Sequence, residues 1–365
     1  MLTVSFALAV ISMIAVPPDT EYSGYVHWTT LSLLLTLMLV MSGLKELGAF
    51  ALFGQKLLGK CRSARRLVIV LIGLCFCLSP FITNDVSLIT FVPFTIFVLE
   101  YAGLEKYMIP TLALETIAAH MGSMLTPIGN PHNIFFYELM QKHDGTSPIG
   151  FIILMLPYFV FAGILLAAFA FVITKSNEPV REFHASEAHP LTGAERMKMI
   201  IYAVLFVVSL LPVFGVTKHL VAAVIVVAAI AVFDKRTLIR TDYSLLFTFV
   251  FLFILVGDLG RIDAINEFLT RIVSGHELTV SVLASQIISN VPASILLSGF
   301  SDKYFILALG CDIGGLGTLI ASMANLISFK KYSEMPGAKP GRYIAGFTAI
   351  NVIFLVFMVA FAILF

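Results

Sequence analysis

Residues 122–133 read GSMLTPIGNPHN, and this stretch determines how the chain around it can fold. It places two glycines and two prolines inside a long apolar segment, 107–140, so a helix is predicted to be unwound there. A second apolar segment, 305–329, overlaps the related stretch 310–325, which reads GCDIGGLGTLIASMAN. Irregular backbone at membrane depth is tolerated only where it packs in protein or lines a wet cavity. The two stretches therefore predict a polar site inside a membrane protein.

The composition indicates that lipid is the solvent. Of the 365 residues, 59% are hydrophobic and 12% are charged, whereas soluble domains are about 25% charged. The net charge of +1 gives no basic surface for nucleic acid, so membrane lipid is expected as a partner and nucleic acid is not. The four cysteines are expected to be unpaired thiols, and they are Cys61, Cys75, Cys77 and Cys311.

Nine apolar runs are predicted to span the membrane, and these are residues 2–16, 27–43, 107–140, 150–174, 199–214, 218–233, 243–257, 305–329 and 343–365. Two further apolar stretches, 67–99 and 278–300, are interrupted by polar residues and are predicted to be re-entrant hairpins. The opening run lacks a basic region and a cleavage site, so it is expected to be a retained helix and not a signal peptide.

Loop charge predicts the orientation of the chain. With both hairpins re-entrant and the N-terminus cytoplasmic, 18 of the 23 lysines and arginines lie on the cytoplasmic side. The other five lie outside, and they are Lys142, Lys218, Arg261, Arg271 and Lys303. This predicts a multi-pass protein of the cytoplasmic membrane with its C-terminus outside. Two full crossings at each interrupted stretch would give the same sidedness, so that alternative stays open.

The chain is predicted to contain an internal repeat. A polar cytoplasmic linker, 175–198, separates a first membrane repeat, 1–174, from a second one, 199–365, in which 199–214 is an extra span. Three motif pairs recur in the same order, namely 46–48 with 258–260, 83–84 with 289–290, and 126–133 with 318–325. Because the first pair falls on opposite sides, the copies are predicted to be inverted. Transporters with inverted repeats bind their substrate between the copies.

The predicted fold class is therefore an all-α polytopic membrane protein with two inverted-topology repeats, two re-entrant hairpins and two broken helices. Asn84 and Asn290 would lie at the hairpin tips, where an amide can cap a helix end and contact a substrate oxygen. Asp85 and Asp312 are acids in apolar sequence, which makes them candidates for binding sodium or carrying a proton. His120 is interpreted as a polar group satisfied within the bundle.

These motifs resemble those of the ion transporter superfamily, which includes citrate and divalent-anion/sodium symporters, arsenite efflux permeases and sodium/proton antiporters. The resemblance rests on residues 82–85, 123–133, 288–292 and 310–325. It implies that the substrate is contacted by Thr83, Asn84, Thr126, Pro127, Ser289, Asn290 and Thr318.

Carbonyls at the helix breaks would hold the coupling cation. Sodium is expected near Asn84 and Thr126 and near Asn290 and Thr318. The expected residues of cation or proton coupling are Asp85, Asn84, Gly129, Asn130, Asn290, Asp312, Gly314 and Gly317. Position 85 is Asp and position 291 is Val, whereas the dicarboxylate branch has Thr at both, so the first tip looks more like the arsenite-permease and antiporter branches.

The leading hypothesis is a secondary transporter for a small anion, such as a di- or tricarboxylate or an oxyanion, coupled to sodium or protons by elevator-like alternating access. A sodium/proton antiporter or an arsenite efflux permease is the alternative, and a channel is less favoured because of the broken inverted repeats. The sequence contains no protease or nucleotide-binding motif, so neither enzymatic activity nor direct use of ATP is expected. No cofactor beyond the coupling ion is expected. The resemblance implies a homodimer, whose interface the scaffold helices could supply.

Overall fold

The computed structural model describes residues 2–48, 63–174 and 192–365, and their regular structure is helical. The helices of the first half are α1 Leu2–Ala15, α2 Tyr22–Tyr25, α3 Trp28–Glu46, α4 Ala64–Ile82, α5 Asn84–Tyr101, α6 Met108–Ser123, α7 Pro131–Asp144 and α8 Pro148–Ile173. Those of the second half are α9 Gly193–Leu210, α10 His219–Phe233, α11 Lys235–Arg240, α12 Ser244–Gly260, α13 Asp263–Val273, α14 Glu277–Ile288, α15 Asn290–Ser298, α16 Tyr304–Gly314, α17 Met323–Ser333 and α18 Pro340–Leu364.

The described part of the chain confirms the all-α polytopic class. In it, five helices are long and apolar enough to cross a membrane, and they are α3, α4, α5, α8 and α18. Helices α12 and α13 are bent against each other by 104° and together pass the same test. Helix α9 begins earlier than the predicted span because Thr192 and Glu195 form a capping box, so residues 193–198 of the predicted linker are helical. The earlier part of that linker, 175–191, lies outside the described residues.

The long apolar segments 107–140 and 305–329 are each interrupted by a stretch that is not helical. Helix α6 ends at Ser123 and α7 begins at Pro131, as the two prolines predict. The second break starts later than predicted, because residues 310–314 still belong to α16. A Cβ at Gly310 would lie 2.7 Å from the Ser281 Cβ, and one at Gly314 would lie 2.8 Å from the Ser285 Cβ. These two glycines therefore allow α16 to approach α14 closely and do not unwind the chain.

The two interrupted stretches each fold back at a single residue. Thr83 joins α4 to α5 with φ 68°, and Ser289 joins α14 to α15 with φ 74°. In the first pair Ser87 donates to the Cys75 sulfur at 3.3 Å, which places the two arms side by side. Helices α4 and α5 have 19 and 18 residues, whereas α14 and α15 have only 12 and 9. By length alone, only the first pair could cross the membrane twice.

Ion pairs collect at the two ends of the bundle. Arg240 pairs with Glu46 at 3.5 Å, at the C-terminal end of α3 and just before the start of α12. At the other end of α12, Arg261 pairs with Asp19 at 2.8 Å. A hydrogen bond from Arg261 holds the pKa of the Asp19 carboxyl below its ordinary value. Each pair joins residues that loop charge predicts on one side, although the orientation itself stays a prediction.

Candidate substrate and cation site at the helix breaks

The hairpin tips contact the helix breaks through the same backbone hydrogen bond in both halves. The Asn84 N–H donates to the Gly129 carbonyl at 3.2 Å, and the Asn290 N–H donates to the Ala321 carbonyl at 2.9 Å. Gly129 and Ala321 occupy equivalent places in the aligned stretches 126–133 and 318–325. Each predicted tip residue is buried, with Asn84 4% and Asn290 2% exposed.

A second contact that recurs involves the asparagine that closes each aligned stretch. The Asn133 side chain donates to the Thr126 carbonyl at 3.4 Å, and the Asn325 side chain donates to the Thr318 carbonyl at 2.9 Å. Both amides therefore satisfy carbonyls that the interrupted helix leaves free. Neither asparagine was among the predicted site residues, although both stand in the aligned motif.

The two breaks differ in how the rest of the loop is held. In the first, the Thr126 hydroxyl donates to the Pro80 carbonyl. In the second, the Gln286 side chain donates to the carbonyls of Gly314 at 2.7 Å and Leu316 at 3.0 Å, and accepts from the Thr318 N–H at 3.1 Å. The hydroxyl of Thr126, a predicted substrate residue, thus bonds to the protein's own backbone. Gln286, a polar residue in apolar sequence three positions before Ser289, is not among the predicted site residues.

Helix ends of both kinds meet at the tips and breaks. Helices α5, α7, α15 and α17 begin there, and α4, α6, α14 and α16 end there. A helix start presents N–H groups and partial positive charge, which suits an anion. A helix end presents carbonyls and partial negative charge, which suits a cation. Both kinds of ligand are therefore available at one place.

A buried carboxylate connects the two halves. The Asn130 amide donates to the Asp312 Oδ1 at 2.8 Å, and the His132 Nε2 lies 3.1 Å from the same oxygen. The side chains of His132 and Asp312 are fully buried. Within the described residues, the Asp312 Oδ2 and the His132 Nδ1 have no hydrogen-bond partner. His132 also lies within electrostatic range of Asp85, the other predicted acid.

His120 joins the first tip to the second break. Its Nδ1 lies 3.4 Å from the Asn84 Nδ2, and its Nε2 lies 3.0 Å from the Asn325 Oδ1. The Asn84 Oδ1 accepts from the Asp85 N–H, so Nδ2 faces the imidazole, and the Asn325 amide nitrogen is committed to carbonyls. A neutral His120 with its proton on Nε2 satisfies both contacts. It is a satisfied polar group, as interpreted, and it also lies within the site.

The remaining predicted site residues lie in the two breaks and at the two tips. Gly129 packs so closely on the Ser123 carbonyl that a Cβ would overlap it, and Pro127 lies buried in the first break. Gly317 in the second break has φ 100°, and a Cβ there would lie 2.5 Å from the Gln286 Oε1. The hydroxyls of Ser289 and Thr318 are buried and lack a partner among the described residues. Thr83 and Ser289 turn the tips, and both turns would suit glycine better on backbone grounds.

Other buried polar groups lie away from the breaks. The Glu115 Oε1 accepts from Thr95 at 2.9 Å and from the Cys75 sulfur at 3.6 Å, inside the first half. Cys75, Cys77 and Cys311 are free thiols, as expected, and Cys61 lies outside the described residues. In the part of the chain that the structure describes, no three His, Cys, Asp or Glu side chains converge on a metal position.

Comparison with known proteins gives the family. Residues 1–302 match the family model described as citrate transporter. An uncharacterized transporter of Methanocaldococcus jannaschii is 32% identical over 94% of this chain and 91% of its own length. The inner membrane protein YbiR of Escherichia coli is 30% identical over 86% of this chain and 82% of its own length.

A third relative matches a smaller part of the chain. The putative transporter arsB of Dictyostelium discoideum is 25% identical over 31% of this chain and 20% of its own length. The family model and the relatives from Methanocaldococcus jannaschii and Dictyostelium discoideum are described as transporters, which indicates a transporter and not an enzyme. Together with the helices long enough to span a membrane, these matches show that the chain is a multi-pass membrane transporter that belongs to the citrate transporter family.

Proposed function

We propose that this chain is a secondary active transporter that moves a small anion across the cytoplasmic membrane, coupled to sodium or protons. The anion would be a di- or tricarboxylate or an oxyanion. The observation that carries the proposal is the meeting of helix starts and helix ends from both halves around Asn84 and Asn290. Membership of the citrate transporter family supports the anionic substrate.

Coupling follows from the charge of the site. Its acids are Asp85 and Asp312, and the predicted and observed site residues include no lysine or arginine. An anion that approached these carboxylates alone would be repelled. A sodium ion at the carbonyls of a helix end, or a proton on a carboxylate, would neutralise that charge and complete the anion site. Anion and cation would then strengthen each other's binding, which is the thermodynamic requirement for symport.

The contacts that recur support an inverted repeat with re-entrant hairpins. Asn84 meets the first break midway along the segment from Met108 to Asp144, which a single broken span would occupy. A tip at half depth belongs to a hairpin that enters and returns. The hairpins and broken helices would move as one unit against a scaffold of the remaining helices, and a homodimer would form through that scaffold.

The orientation follows from charge and from one relative. The ion pairs join residues of the same predicted side, which supports a cytoplasmic N-terminus and an external C-terminus. The Escherichia coli relative is named an inner membrane protein, which supports the cytoplasmic membrane as the location.

A second candidate is exchange of sodium for protons, or efflux of arsenite. The buried His132–Asp312 contact favours the antiporter, because such a pair can lose a proton to make room for a cation. The partial match to a putative arsB transporter favours arsenite efflux.

Flux through proteoliposomes tests both candidates. Purified protein would be assayed for uptake and efflux of citrate, succinate, sulfate and arsenite under an imposed sodium or proton gradient, beside Asn84→Ala and Asp85→Asn. We expect gradient-driven flux of one anion that both variants lose. Sodium-dependent proton movement without anion flux, abolished by Asp85→Asn, would assign the antiporter. Passive flux that no gradient drives would contradict a secondary active transporter.

A further inference from the structure

A cavity of about 580 Å³ lies away from the helix breaks, between the start of α6, the end of α17 and the start of α18. Its walls include Ile109 on α6, Tyr332 on α17 and Ile350 on α18. Loop charge predicts this end of the bundle to be cytoplasmic, since Lys330, Lys331, Lys339 and Arg342 all belong to that side. None of the transport residues described above lines the cavity.

The mouth of the cavity is basic. Three basic residues and one acid, Glu105, line it, so the lining carries a net positive charge. Lys339 and Arg342 are exposed, and neither forms an ion pair with another residue in the described ranges. Helix α18 begins between them at Pro340, so the positive end of a 25-residue helix adds to their field. A guanidinium beside an ammonium is well suited to a phosphodiester.

One wall of the cavity is apolar. Met108, Ile109 and Ile350 provide the apolar surface. Gly346 keeps this wall open, since a Cβ there would lie 3.1 Å from the Ile109 side chain. At helical spacing the same face of α18 continues through Ile353 and Phe357, which are 49% and 47% exposed. The cavity therefore has a basic region at the start of α18 and an apolar groove that continues along the exposed face of that helix.

We propose that this cavity binds one anionic phospholipid. Its phosphate would contact Lys339 and Arg342, and an acyl chain would lie along the groove from Gly346 to Phe357. A free phosphate would leave the apolar wall uncovered. The positive group of a zwitterionic headgroup would be repelled by the basic residues of the lining. Anionic lipids are enriched in the cytoplasmic leaflet and are attracted to basic pockets between helices.

Native mass spectrometry of the purified full chain tests the proposal. The protein in detergent would be titrated with phosphatidylglycerol and with phosphatidylcholine of the same acyl chains. We expect tighter binding of phosphatidylglycerol. The double variant Lys339→Gln with Arg342→Gln should bind it about tenfold to thirtyfold more weakly, since each basic group near such a headgroup contributes on the order of a fivefold change. Gly346→Leu, which fills the groove and keeps both charges, should weaken both lipids.

The matched control is Lys235→Gln with Arg236→Gln, which removes two exposed charges at the same predicted end. It should retain the affinity for phosphatidylglycerol. Equal binding of both lipids by the wild type, or an equal loss in the control pair, would overturn the proposal. Displacement of phosphatidylglycerol by inorganic phosphate would identify free phosphate as the ligand and would also overturn it. A Gly346→Leu variant that melts like the wild type and binds lipid normally would exclude the groove.

Discussion

In the first half a glycine, Gly129, accepts the hydrogen bond from the tip residue, and in the second half an alanine, Ala321, does so. In the first half a threonine hydroxyl closes the loop on Pro80, and in the second half one glutamine, Gln286, makes three bonds to the break. The backbone contacts are the same, and the side chains that support them are different. Lipid offers no hydrogen-bond partners, so buried peptide groups in a membrane must pair within the protein. The backbone contact is therefore constrained more strongly than the identity of the side chain that supports it.

We expect the largest effect of a single substitution at Asp312, the carboxylate of the second half that contacts the first break. Asp312→Asn removes the charge that faces Asn130 and His132 but keeps the size of the side chain. Gradient-driven flux should fall tenfold or more because the coupling cation loses its counter-charge, while anion exchange without a gradient persists. Paired exchange and accumulation assays in proteoliposomes measure this. Glu115→Gln serves as control, since that acid lies away from the breaks. Unchanged accumulation in Asp312→Asn would remove the acid from the coupling site.

The two loop supports should differ in stability. Gln286→Leu leaves two carbonyls and one N–H without their partner and should cost about 2–3 kcal/mol, at about 1 kcal/mol for each bond. Thr126→Val loses one bond and should cost about 1 kcal/mol. Thermal melting in detergent compares them, with Gln141→Leu as control because its side chain bonds only the Tyr137 hydroxyl among the described residues. Equal losses would show that the two breaks are not supported as described.

The aligned pair Gly129 and Ala321 gives a sharper form of the same comparison. Gly129→Ala should destabilise by about 1–3 kcal/mol, since the new Cβ overlaps the Ser123 carbonyl. Ala321→Gly should cost about 1 kcal/mol or less, because only one buried methyl group is lost. Melting of the two variants tests the difference. If Gly129→Ala melts like the wild type, the first break has more room than the structure gives it.

The smallest effect concerns the ion pair at the C-terminal end of α12. Because Arg261 lowers the Asp19 pKa, the pair stabilises above the ordinary pKa of a carboxyl and stops doing so as pH falls through the lowered value. Arg261→Gln should reduce the melting temperature slightly and by a constant amount from pH 8 to about 5, with the difference shrinking below about pH 4. A difference that grows at acid pH would contradict this assignment.

Sequence reasoning located the first break well, because two prolines leave a helix few alternatives. It placed the second break too early, because Gly310 and Gly314 serve close packing on α14 and glycine alone does not distinguish packing from unwinding. It missed His132, whose partner Asp312 lies 180 positions away and is brought near only by the fold. Residues 49–62, which follow the motif 46–48, lie outside the described residues.

A binding cycle tests whether the two tips form one anion site. Citrate, succinate and sulfate would be titrated by calorimetry into the wild type, Asn84→Ala, Asn290→Ala and the double variant. If both amides bind one anion, each single variant should lose about tenfold to a hundredfold in affinity for the same anion, and the double variant should lose less than the product of the two. Unchanged affinity in either single variant, in a protein that melts normally, would contradict a shared site.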